Sequence, residues 1–89
     1  MNSHLGEEFL DAFRALPKNV QTQARKAHRL WKQNPYHRSL QFKCVHRPEN
    51  VYSVRIGKDW RALGIRDGDS MYWFWIGSHA EYDKILKQL

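Results

Sequence analysis

The chain has 89 residues and 10.7 kDa, 42% of them hydrophobic and 13% aromatic, which leaves room for one small core and excludes a two-domain enzyme. Fifteen Lys and Arg against nine Asp and Glu give a formal charge of +6, a better match for a polyanion than for a small neutral substrate. The longest apolar run, Met71–Ile76, is far short of the roughly 20 residues of a membrane span, the polar start Met1–His4 has no signal-peptide core, and the lone Cys44 cannot form an internal disulfide, so we expect one cytoplasmic domain over residues 1–89, held by packing and not membrane-bound.

The first element opens with Glu7 and Glu8, suited to the positive end of a helix, and continues with Phe9, Leu10, Phe13 and Leu16 on one helical face. Pro17 interrupts it and is well placed to begin a second helix. There Val20, Ala24, Ala27, Leu30 and Trp31 recur at helical spacing, and Asn34-Pro35 ends the run. The period then changes to two. Leu40, Phe42 and Cys44 alternate with polar residues, as do Tyr52, Val54 and Ile56, and Trp60–Arg66 and Met71–Ile76 complete four strand-like stretches. Short separators such as Gly57-Lys58-Asp59 and Asp67-Gly68-Asp69 favour antiparallel pairing. The last stretch is apolar on both faces and belongs inside the sheet. After Gly77, Ser78 and Glu81 have capping-box spacing, and Tyr82, Ile85, Leu86 and Leu89 follow at helical steps. The expected fold is α+β: an N-terminal helical hairpin on a four-stranded, mainly antiparallel sheet, then a short C-terminal helix.

The charge is concentrated in the middle. Residues 1–17 and 67–89 each carry a net −2, whereas residues 18–66 hold twelve bases against Glu49 and Asp59, a net of +10. Lys18, Arg25, Lys26, Arg29 and Lys32 on the second helix, with Lys43 and Lys58 beyond it, are candidate phosphate-binding residues, or the solvated surface of an ordinary basic helix. If Gly57-Lys58-Asp59 forms the loop of a hairpin, Arg55 lies opposite Arg61 on one face and Ile56 opposite Trp60 on the other. Like charges across a ladder repel, so such a pair calls for an anion between them, unless one arginine is bridged to Asp59, Asp67 or Asp69. A two-residue loop would put the two arginines on opposite faces. At the start of the last helix His79 and Tyr82 lie three residues apart, in reach of a bound anion, and histidine is a side-chain type suited to proton transfer. Both also have structural readings, His79 beside a cap and Tyr82 in the apolar stripe. No histidine or cysteine spacing suggests a metal site, and no cofactor is expected.

Phe13-Arg14-Ala15-Leu16-Pro17, Trp31-Lys32-Gln33-Asn34-Pro35, Tyr52-Ser53-Val54-Arg55-Ile56-Gly57, Trp60-Arg61-Ala62-Leu63-Gly64 and Trp75-Ile76-Gly77-Ser78-His79-Ala80-Glu81-Tyr82 resemble, in this order, the RelE/ParE superfamily of bacterial toxin–antitoxin toxins. The resemblance covers nearly the whole chain and implies a helical hairpin packed on an antiparallel sheet. It implies one of two activities on one fold: a metal-independent endoribonuclease acting on messenger RNA at the ribosome, or inhibition of DNA gyrase. For the ribonuclease it implies Arg61 as a transition-state stabiliser, Arg55 as its basic neighbour, and His79 and Tyr82 as proton-transfer candidates. Ser53 departs from the pattern, since the founding ribonuclease has a lysine there. The resemblance also implies a cognate antitoxin that covers the basic face. A non-catalytic basic RNA-binding domain is a third reading, and self-association is left open.

Overall fold

The computed structural model describes residues 1–89. In chain order it has β1 (Asn2–Leu5), α1 (Glu7–Arg14), α2 (Lys18–Gln33), a 3-10 turn (Arg38–Leu40), β2 (Lys43–His46), β3 (Val51–Ile56), β4 (Trp60–Asp67), β5 (Ser70–Ser78) and α3 (His79–Gln88). The strands form one sheet in the order β1-β5-β4-β3-β2, antiparallel except for the pairing of β1 with β5. The α+β class and the three helices are as the sequence reading expects, and β5 is flanked on both sides.

The helical hairpin follows from local chemistry. Glu7 and Glu8 occupy the first turn of α1, and Pro17, at φ −56°, is the N-cap of α2. The side-chain amide of Gln21 donates to the carbonyl of Leu16 (3.0 Å), which ties the link between the helices. Asn34 ends α2 in an extended conformation before Pro35.

The sheet has two covered faces. Against α1 and α2 lie Val54, Ile56, Ala62, Met71, Trp73 and Ile76, with Trp31 set edge-on to Trp73 (centroids 5.4 Å apart, 77° between planes). On the other face Val51 and Leu63 pack against Tyr82 of α3, joined by Phe74 and Trp75. A bulge opposite Leu63 and Gly64 inserts an extra residue in β5, so adjacent Phe74 and Trp75 share the α3 side while Trp73 and Ile76 serve the other. That is why the stretch reads as apolar throughout.

Two expectations are corrected. The sheet has five strands: Asn2–Leu5 adds an edge, in register from Asn2 opposite Ser70 to Leu5 opposite Trp73. Its polar side chains carry no alternating signal, because the strand is held mainly by backbone pairing and by Ser3, whose hydroxyl accepts from Trp73 Nε1 (3.0 Å) and meets His28 Nε2 (2.8 Å). Leu40 does not belong to a strand. It is buried at the end of the 3-10 turn, and Gln41 at φ 45° then breaks the extended run, so β2 starts only at Lys43.

Candidate functional site

The β3–β4 hairpin has the register that a three-residue loop requires: Arg55 stands opposite Arg61, and Ile56 opposite Trp60. Gly57 supports that loop at φ +59°, a conformation that side chains with a Cβ rarely adopt. Ile56 packs toward the helical hairpin. Arg55 and Arg61 therefore project from the opposite face, the one that carries α3. Neither guanidinium is ion-paired with a carboxylate; the chain's ion pairs are Arg14–Asp11 and His79–Asp83. Instead both curl onto backbone carbonyls of the turn. Arg55 Nε donates to Gly57 O (3.0 Å), and Arg61 Nη1 donates to Trp60 O (2.7 Å) and to Lys58 O (3.3 Å). Burial and then the charge of Arg55 hold the Arg61 guanidinium below the usual arginine range. The two positive charges are thus preorganised side by side with no carboxylate bound to either, although Asp83 and Asp59 act on Arg61 from farther off, and this favours an anion between them.

The turn meets the start of α3. The backbone N–H of His79 donates to Asp59 O (2.8 Å), and Arg61 pairs with Gly77, the residue before the Ser78 cap. A Cβ at Gly77 would lie 2.5 Å from the Trp75 ring, so glycine lets that indole close over the strand. The Ser78 hydroxyl accepts from the backbone N–H of Glu81 and donates to its carboxylate, both at 3.2 Å. This is a variant of the expected capping box, because the Glu81 side chain meets the hydroxyl of the cap. His79 is exposed, with Nδ1 3.1 Å from Asp83 Oδ2 one turn on, which leaves Nε2 free for a ligand. Its ring meets Tyr82 edge-on at 5.8 Å, and the Arg61 guanidinium lies 6.0 Å from the centre of the same Tyr82 ring.

Arg55, Arg61, His79 and Tyr82 therefore converge. Tyr82 differs from the others in being buried, at 6% exposure, with its hydroxyl donating to Ser53 Oγ (3.2 Å) beneath α3. It forms the floor under Arg61 and His79, and its hydroxyl is turned inward onto Ser53, away from the exposed surface. Lys43, opposite Ser53 in β2, projects from the same face two residues along from Arg55.

The other basic candidates are elsewhere. Lys18, Arg25, Arg29 and Lys32 form an exposed stripe on α2, across the sheet from the arginine pair. Arg25 lies 5.1 Å from the centre of the Phe13 ring and so covers the α1–α2 contact. Lys26 and Lys58 face each other across a groove beside the β3–β4 turn. Asp83 was not among the candidates, although its four-residue spacing from His79 is the signal that finds it. No cluster of three His, Cys, Asp or Glu side chains is assembled anywhere in the chain.

Residues 18–84 match the family described as the ParE-like toxin domain. No curated protein sequence matches significantly. Among solved structures, the chain is similar in fold to the toxin–antitoxin complex RelB–RelE of Methanococcus jannaschii (TM-score 0.72, 12% identity, covering 92% of this chain and 96% of that one). It is also similar to Escherichia coli YafQ (TM-score 0.71, 10% identity, 91% and 96% covered) and to the isolated RelE toxin of E. coli (TM-score 0.64, 14% identity, 99% and 98% covered).

Proposed function

Because the chain belongs to the ParE-like toxin domain family, we propose that it is the toxin of a toxin–antitoxin pair and acts as a metal-independent endoribonuclease on messenger RNA at the ribosome, stopping translation. The observation that carries this reading is the pair Arg55 and Arg61, unpaired with carboxylates and set against His79 at the start of α3. A ribose 2′-oxygen attacks the adjacent phosphorus while His79 Nε2 takes its proton. The bond from phosphorus to the 5′-oxygen breaks, that oxygen takes a proton from water while His79 returns its own to solvent, and the products are a 2′,3′-cyclic phosphate and a 5′-hydroxyl. Arg55 and Arg61 stabilise the charge that builds on the non-bridging oxygens. Tyr82, with its hydroxyl held by Ser53, supports the site from below. DNA, which lacks the attacking hydroxyl, is left intact.

An antitoxin partner is supported by the likeness to an archaeal toxin seen in complex with its antitoxin. An acidic antitoxin segment would complement the basic middle of this chain.

The test is a translation reaction with purified ribosomes and a defined messenger RNA, with new RNA 5′ ends mapped for the native protein, Arg61→Ala and His79→Ala. New ends are expected with the native protein and only with ribosomes present. Each variant should cut about a hundredfold or more slowly, since losing one oriented charge stabiliser or proton carrier typically costs ~10²-fold or more. Folded variants that cut at the native rate would remove these residues from the site. Gyrase inhibition is the second reading, favoured by the ParE-like character of the family. Growth arrest with altered plasmid supercoiling and no new RNA ends would put it first.

A further inference from the structure

Beside the β3–β4 turn, on the side away from α3, a groove of about 660 Å³ runs between α2, from Asn19 to Leu30, and the turn, with Ser39 and Leu40 also lining it. This lies within the ~300–1,000 Å³ of pockets that enclose small organic ligands. Asn19, Gln23 and Lys26 reach it from one stripe of α2, distinct from the solvent-facing stripe of Lys18, Arg25, Arg29 and Lys32. Arg55, Lys58 and Trp60 reach it from the hairpin. Arg55 leaves the sheet on the α3 side and folds back onto Gly57 O at the turn, where it also lines the groove, so the two meet at the turn.

The groove's chemistry is that of a nucleotide site. Its charges are Lys26, Lys58 and Arg55 against one carboxylate, Asp59, a net positive balance suited to a phosphodiester. Trp60 is partly exposed and offers an aromatic face. The Gln23 amide is pressed against the turn, where a Cβ at Gly57 would lie 2.8 Å from its Oε1, so glycine there keeps the groove open. The neighbouring Gln21 and Thr22 side chains spend their hydrogen bonds on helix carbonyls, at Leu16 and Lys18, whereas the exposed amides of Asn19 and Gln23 remain free to read a base edge.

We propose that this groove seats the nucleotide adjacent to the scissile phosphate of a single-stranded RNA, with Lys26 and Lys58 on its phosphate and Asn19 and Gln23 on its base. The assignment rests on the ribonuclease reading and makes α2 a determinant of where the RNA is cut. An unpaired strand is required, because base edges in an RNA duplex are closed to side chains of this reach.

The experiment compares the native protein with the double variant Asn19→Ala, Gln23→Ala, whose exposed positions leave the core untouched. Binding is read by fluorescence anisotropy with a fully 2′-O-methylated single-stranded oligonucleotide, which cannot be cut. Cleavage is read by mapping ends on messenger RNAs with randomised sequence, in the presence of ribosomes. The variant, with an unchanged thermal midpoint, is expected to bind at least about fivefold more weakly and to lose the native base preference next to the cut. Affinity within twofold of native, or a preserved preference, overturns the proposal, and this is also the outcome if the groove serves an acidic antitoxin segment instead. If the native protein cuts nothing, the ribonuclease reading falls by itself, and the anisotropy comparison still decides whether the groove binds RNA.

Discussion

At the scale of single residues, the side chains that tie the N-terminal strand have an electrostatic signature. His28 is pushed below its ordinary titration range by burial and then by Lys32. Its Nε2 meets the Ser3 hydroxyl, which already accepts from Trp73 and can donate a hydrogen bond to a neutral imidazole. The folded state therefore resists protonation there. Below about pH 6.5 the unfolded chain takes up a proton at this histidine first, so the associated stability is full above that pH and is lost as pH falls through the lower value of the folded state. Urea midpoints should drop between pH 7.5 and pH 5.5. His28→Gln, which keeps an acceptor and does not titrate, should drop less; an equal drop in both proteins would clear His28 of the effect.

At the scale of elements, α3 is fastened to the sheet by one buried hydrogen bond, from Tyr82 to Ser53. Removing either partner strands the other hydroxyl away from water, at a cost of about 1–3 kcal/mol. Tyr82→Phe and Ser53→Ala should each lower stability by that order in chemical denaturation, and the double variant should lose less than the two single losses together. The same contact shows what a sequence reveals and what it hides. The helical step to Ile85 marks Tyr82 as apolar-facing, but nothing in the spacing says that its hydroxyl is claimed by a residue 29 positions earlier. The Arg55–Arg61 pairing was legible, because turn length alone sets the hairpin register. Periodicity also placed α1, α2 and β3, and the strand-like stretches between turn residues placed β4 and β5. It could not place β1, where the backbone does most of the pairing, nor the left-handed Gln41 that takes Leu40 out of its strand. Segment charge revealed a basic middle. It could not show that the sheet separates the outer bases of α2 from the arginine pair.

At the scale of the whole molecule, the sheet is organised about β5, which pairs with β1 on one side and β4 on the other and leads directly into α3. A chain ending at Asp69 would lack α3 and would leave β1 without its partner, one edge of β4 open, and the helical hairpin without Trp73 and Ile76. Such a chain should show no cooperative thermal transition by circular dichroism; a sharp transition would mean that the first four strands and two helices suffice. The parallel contact between residues 2–5 and 70–73 also has a consequence in time. Residues 2–5 are synthesised well before residues 70–73, so β1 must wait for the strand it pairs with. While the chain is still being synthesised, Arg55 and Arg61 emerge without His79, and the floor under them is missing until Tyr82 follows. The charged pair therefore exists in the growing chain before the histidine and the aromatic floor that complete the arrangement around it.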